Sequence, residues 1–498
     1  PFMILTSHDA TEDSGDAYSF TLVYSGSFTA DAEATQFGCT RVRMGINPDG
    51  FSWKLENGEK FDTPEAILCH STSGLTALSQ NMHSFINNHI IRGKYKNKTR
   101  PVLLNSWEAC YFGFNEERLI KIAECSAKLG IELLVIDDGW FGKRDSDNCS
   151  LGDWVVDKRK LPGGIEAIHD VLKKHGMTLG IWFEPEMVSP DSDLYRAHPD
   201  WCLHIDGRPR SEGRQQLMLN LSRKEVCDYL YDSIAAVLKN GAISYVKWDF
   251  NRNMSEVGST DLPVDRQQEV SHRYYLGLYS LLERLVTDFP DVLFESCSGG
   301  GGRFDCGMLY YMPQTWTSDN SDAIERLPIQ HGTSLVYPLS SMSAHVSASP
   351  NHQTGHVTPF DTRFNVAFTG SFGYELDPTA LSEEEQSLVR RTAEFYKKYS
   401  HVAANGRYFR LRSCYEGDCA AWEYISDDDS ICIAEYVLTH VRVYPHYERL
   451  KLKGLDPDAR YRDDSGNQYT GSELMGYGIP VDLTYEYSSK MWVLEKIK

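Results

Sequence analysis

Seven acidic residues stand at or just beyond the end of a short apolar run: Asp137, Asp138, Glu184, Glu186, Asp249, Glu295 and Asp319. Trp107, Trp140, Trp182, Trp248 and Trp316 are interleaved with them. No His-Glu-x-x-His spacing and no cysteine cluster of zinc type accompanies these acids, so neither a metal nor a cofactor is expected. Carboxylates with indoles suit sugars, whose C–H faces stack on tryptophan while their hydroxyls bond to acids. Cleaving a glycosidic bond needs two carboxyl groups, one charged and one protonated. In a retaining reaction the charged one attacks the anomeric carbon and forms a covalent intermediate. Lys247 lies two residues before Asp249 and projects to the same side of a strand, where its charge would keep Asp249 ionised. Asp319 has Trp316 nearby and no adjacent cation, so burial would raise its pKa towards that of a general acid. The other reading of Asp319 is a helix cap, because Asp319 and Asn320 precede the helical pattern from Asp322 to Leu327.

Elements that end in acids on one side imply a particular scaffold. Apolar runs end at Glu108, Asp138, Glu184, Asn220, Asp249, Cys297 and Asp319, and another runs from Ser343 to Ser347. Between them lie amphipathic stretches, among them Glu117 to Leu129, Ile165 to His175, Glu225 to Leu238 and Gln268 to Phe289. Eight strand-then-helix units predict an α/β fold whose centre is a (β/α)8 barrel, with the active site at the C-terminal ends of its strands. On this count Asp249 follows the fifth strand and Asp319 the seventh. Alternating β-branched and aromatic residues before and after the barrel predict an N-terminal β-sandwich segment with a linker helix over 1–96, the barrel over 97–398 and a small C-terminal β-sandwich over 399–498.

Fifty basic against seventy acidic residues give a formal charge of -20, which disfavours nucleic acid and anionic lipid as partners. No apolar run is long enough to span a bilayer, and no signal peptide is visible. The twelve cysteines are scattered, with Cys414 and Cys419 able to pair, and the pattern favours a cytoplasmic, reducing compartment over secretion. Glycosylation sequons such as those at Asn97 and Asn148 leave secretion open.

The segment Tyr245-Val-Lys-Trp-Asp-Phe-Asn-Arg252 resembles the nucleophile block of glycoside hydrolase family 36 α-galactosidases. Four further blocks resemble that family in order: Ile136 to Gly142, Trp182 to Met187, Ser296 to Asp305 and Trp316 to Asn320. The resemblance implies that Asp249 is the nucleophile and Asp319 the acid and later base. It implies that Asp137 and Asp138 grip the 4- and 6-hydroxyls, that Lys247 and Arg214 take the 3- and 4-hydroxyl side, and that Trp182 and Trp316 form walls. Arg210, four residues from Arg214, is the competing choice there. Cys297 and Gly300 would lie against the 2-hydroxyl, and Asn251 and Asn320 would complete the substrate-binding set. Members of this family carry a longer N-terminal sandwich, so the chain is expected to begin part-way through it. The family also implies a homotetramer in which a neighbour's aromatic closes the pocket.

The function these readings imply is hydrolysis of terminal non-reducing α-galactosyl residues, as in melibiose and raffinose, with retention. The alternatives are an α-N-acetylgalactosaminidase or galactosaminidase, a transglycosidase on the same fold, or a galactoside-binding protein without turnover. Glu184 and Glu186 read as supports, Asp305 as an ion-pair partner of Arg303, and His345 and His352 as satisfied polar residues.

Overall fold

A computed structural model describes residues 1–443 and 447–497; the expected chain limit at Lys498 lies outside the described residues. At its centre eight parallel strands close into a barrel, in the order Leu103–Asn105, Leu133–Ile136, Thr178–Phe183, Ile243–Trp248, Leu293–Ser296, Gln314–Trp316, Met342–Ser347 and Ser371–Glu375. The last pairs with the first through Gly373 opposite Leu103. These strands are buried on both faces, so they read as continuous apolar runs and not as alternating ones.

Two strands of the expected count are corrected. Leu217–Met218 is a buried strand, but it pairs antiparallel with Met187–Val188 in an excursion outside the barrel. The eighth barrel strand is Ser371–Glu375, so Asp249 follows the fourth strand and Asp319 the sixth. A short apolar run records burial and not the identity of its neighbour, which explains the first error. The second arises because Ser371–Glu375 follows a helix, Phe360–Phe368, buried at every position but Asp361, and carries a glycine in its middle. That glycine is required: a Cβ on Gly373 would stand 2.7 Å from the ring of His345 on the seventh strand.

The helices start where their sequence provides a cap. Asn115 accepts the Arg118 N–H and opens Glu116–Lys128. Ser382 and Glu385 form a reciprocal capping box at the start of Glu383–Asn405. The helix Ala323–Thr333 is capped by Asp322, whose carboxyl accepts from Ile324 and Glu325. Asp319 is therefore free of the capping role. Asp305 caps Cys306–Tyr311 and accepts a hydrogen bond from Ser25, while Arg303 pairs with Glu186. The expected Arg303–Asp305 ion pair is thereby corrected.

Before the barrel lie an antiparallel sheet (Phe2–Thr6, Ala17–Leu22, Ala66–Ser71), a hairpin (Phe28–Ala34 with Thr40–Ile46) and the helix Gly74–Phe85. After it comes a six-stranded antiparallel sheet, facing a two-stranded one across its own apolar core. Arg410 of that sheet, almost wholly buried, reaches back to Glu12 with bonds of 2.8 and 2.9 Å. All twelve cysteines are unpaired, so Cys414 and Cys419 form no disulfide.

Candidate active site

The C-terminal strand ends surround a cavity of about 140 Å³. Strand pitch decides which side chains enter it. Lys247 is level with Trp182 on one neighbouring strand and Glu295 on the other, and Asp249, one pleat further on, reaches the cavity too. The ladder continues past the strands, with the Asp249 N–H on the Phe183 carbonyl and the Cys297 N–H on the Trp248 carbonyl, both at 2.7 Å. That continuation fixes where the first loop residues point.

Asp249 is buried and accepts three hydrogen bonds. They come from Trp182 Nε1 at 3.1 Å, Asn251 Nδ2 at 2.7 Å and its neighbour's Phe250 N–H at 2.8 Å. Below it Glu184 accepts from Gln216 and from the Asn251 N–H. Burial, followed by the charge of Asp249, pushes Glu184 up to about 8. The Asp319 side chain is exposed to the open cavity although protein packs densely around it, and its pKa is raised to about 6, by desolvation first and by the charge of Asp249 second. Two carboxyls that share one cavity thus feel each other, as an acid working beside a carboxylate requires.

The expected effect of Lys247 is corrected in one respect. Its ammonium bonds to Asp137 at 2.9 Å, with both side chains buried, and reaches Asp249 only through space. Asp137 also accepts from Asn105 at 2.7 Å. Asp138 is gripped by Arg144, which donates to both of its oxygens at 2.8 to 3.2 Å. Desolvation nonetheless raises the Asp138 pKa, with the Arg144 charge opposing. Neither Arg144 nor Asn105 stood out in the sequence; Arg144 lies in a loop six residues past Asp138, where only the fold reveals the pair.

Of the expected site residues, Asp137, Asp138, Trp182, Arg214, Lys247, Asp249, Asn251, Trp316 and Asp319 line the cavity. Arg214 is on the wall and Arg210 is not. Three others are not among its lining residues. Cys297 is buried beside Asp319, its Sγ 4.0 Å from Oδ1 and accepting the Gly300 N–H at 3.4 Å. Gly300, at φ +83°, lies so close that a Cβ would stand 2.6 Å from the Asp319 nitrogen. Both residues stand against Asp319, and only glycine fits the second position. Asn320 is off the wall, because its side-chain oxygen accepts the Asp322 N–H at 3.1 Å to shape the turn into the helix.

Trp140 and Trp248 are fully buried supports: the first donates to the Trp182 carbonyl, the second to Glu186. Glu186 also takes Tyr274 and both ends of Arg303, and so bears out its supporting role. The cavity has further walls that the sequence did not single out as site residues: Trp107, Glu108, His352, Gln353 and Glu375. Glu375 was missed together with its strand. A larger cavity, of about 990 Å³, lies against the hairpin and residues 204–208, but none of the strand-end acids enters it.

Profiles of known families match the chain in three consecutive pieces. The glycosyl hydrolase family 36 N-terminal domain matches residues 1–56, Melibiase residues 60–406, and the family 36 C-terminal domain residues 419–494. The chain belongs to glycoside hydrolase family 36. Within family 36 it is similar to alpha-galactosidase AgaA of Geobacillus stearothermophilus, with 50% identity over all of this chain and 68% of that protein. Alpha-galactosidase Mel36A of Lactobacillus acidophilus is 47% identical over all of this chain and 68% of its own length. The crystal structure of a substituted AgaA in complex with raffinose superposes with a TM-score of 0.99 at 50% identity, over 100% of this chain and 69% of that one.

Proposed function

We propose that this family 36 chain is a retaining exo-α-galactosidase that releases terminal non-reducing α-D-galactosyl residues from oligosaccharides such as melibiose and raffinose. The observation that carries the reading is the sharing of one cavity at the strand ends by Asp249 and Asp319. In the first step Asp249 attacks the anomeric carbon while Asp319 gives its proton to the departing oxygen. In the second, Asp319 takes a proton from water, which displaces Asp249 with a second inversion and so restores the α configuration. Trp182 and Asn251 hold Asp249 for attack, and their donation to its carboxylate weakens as the glycosyl bond forms.

Asp137, Asp138, Lys247 and Arg214 bring charged groups to the same cavity, and Trp182 and Trp316 bring indole faces. This supports recognition of the hydroxyls of a galactosyl ring by the charged groups and stacking of its apolar face on an indole. Twelve unpaired cysteines support work in the cytoplasm. A tetramer belongs to the same proposal through family membership, and sedimentation equilibrium tests it. No helix among the described residues is long and apolar enough to cross a membrane.

The decisive experiment is inactivation by a 2-deoxy-2-fluoro-α-galactosyl donor with a good leaving group, followed by peptide mapping. A galactosyl ester on Asp249 is the expected product. A label on any other residue, or turnover without a covalent intermediate, would refute double displacement at this aspartate.

A further inference from the structure

One carboxyl on the cavity wall has no place in the reaction as described. Glu108 follows the first barrel strand, and its side chain is only 6% exposed. Its Oε1 accepts the Ser321 hydroxyl at 2.6 Å. Its Oε2 is fully buried and receives no hydrogen bond, although the Nδ1 of His352 lies 3.4 Å away. A buried carboxylate oxygen without a donor is costly, whereas a carboxylic acid O–H facing an imidazole nitrogen satisfies both atoms.

Resting on the α-galactosidase reading, we propose that Glu108 is a positioning residue that works as a neutral carboxylic acid, accepting from Ser321 and donating to His352, and so ties the Asp319 loop to the first strand without adding charge to the cavity. Ser321 lies two residues beyond Asp319, and the same loop is held by Gln353 on the Asp319 carbonyl and Arg326 on the Asn320 carbonyl. Neutrality matters because four carboxyls besides Glu108 and Asp319 already face this space: Asp137, Asp138, Asp249 and Glu375. A further anion would raise Asp319 and oppose Asp249.

The groups facing Glu108 agree. Glu375 arrives from the eighth strand, His352 from the loop after the seventh, Arg326 from the helix Ala323–Thr333, Lys247 from the fourth strand and Tyr111 from the turn after Glu108. Desolvation first, then the Glu375 charge, pushes Glu108 up to about 9 against the opposing pull of Ser321, Arg326 and Lys247. Glu375 goes the other way: burial opposes its charge, but the His345 hydrogen bond and neighbouring cations hold it below its ordinary value. One member of the pair is charged and one is not.

The test compares E108A and E108Q with wild type in kcat/KM against pH, together with infrared difference spectra of wild type minus E108Q. E108A should lower kcat about tenfold or more, and E108Q, which can accept from Ser321 and donate to His352, should recover it to within about threefold. The basic limb of E108Q should stay in place, and the spectrum lost on substitution should be that of a protonated carboxylic acid. If E108A does not fold, the pair of wild type and E108Q decides alone. A basic limb shifted down by half a unit or more, a lost carboxylate band, or an E108Q as impaired as E108A would overturn the proposal. Failure of the α-galactosidase reading is separate, since it would appear as wild-type protein without turnover.

Discussion

Asp319 meets two demands at once, because it must hold a proton in the first step and surrender it by the second. Desolvation and the Asp249 charge set its pKa at about 6. Since the protonated form is the competent one for bond cleavage, kcat/KM should fall above pH about 6, by about tenfold per unit. An aryl galactoside with an acidic phenol, which needs little protonation, should show a shallower limb than raffinose; equal limbs for both would remove Asp319 from the acid role. Lys247 is the second residue whose removal has a definite sign. Lys247→Met would leave Asp137 buried without its cation, which costs about 3–5 kcal/mol. Urea unfolding should register that loss and galactoside affinity should weaken, whereas a variant as stable as wild type would show that the pair contributes nothing net.

Among the elements, the end of the third strand is braced by one buried carboxylate. Glu186, fully buried, joins Trp248 of the fourth strand, Tyr274 of the helix Val270–Asp288 and Arg303 of the loop after the fifth strand. This clamp stands outside the cavity but holds the strand ends that line it. Arg303→Met should therefore destabilise the barrel by about 3–5 kcal/mol, because it strands a buried carboxylate. Differential scanning calorimetry should show a lowered Tm, while the folded fraction still forms the Asp249 ester. A variant that keeps its Tm but loses ester formation would mean that Arg303 reaches the chemistry directly. Elements also explain the miscounted strands. Leu217–Met218 has the composition of a barrel strand because it is equally buried, yet its partner is Met187–Val188.

Across the whole molecule, the sheet after the barrel carries a deeply buried carboxyl. Glu435, on the strand Ile431–Leu438 opposite Trp422, is fully buried, with the Trp422 indole and the Tyr424 hydroxyl as polar neighbours that favour its charged form. Burial raises its pKa far above the ordinary value, so the fold prefers it neutral. Its contribution to stability is complete below the unfolded value and declines as pH rises towards the folded one. Glu435→Gln should accordingly stabilise the protein, more at pH about 8 than at pH about 5. Chemical denaturation at both pH values reads the difference, and a gain confined to acid would reverse the argument. What the sequence determined by itself was local: the strand-end acids, the helices that carry caps and, of the nine expected cavity residues, the eight on a barrel strand or in the few residues after one; Arg214, in the loop before Leu217–Met218, came from the family resemblance alone. Covalent spacing and pleat fix those, since residues two apart on a strand share a side wherever the strand lies. Only the tertiary structure decided which eight strands close the barrel and that Lys247 bonds to Asp137 instead of Asp249. It alone brought Arg144 to Asp138, set Cys297 and Gly300 behind Asp319, and added Glu108 and Glu375 to the wall. Each of these depends on a through-space partner distant in the chain or on a loop, where no periodicity announces the contact.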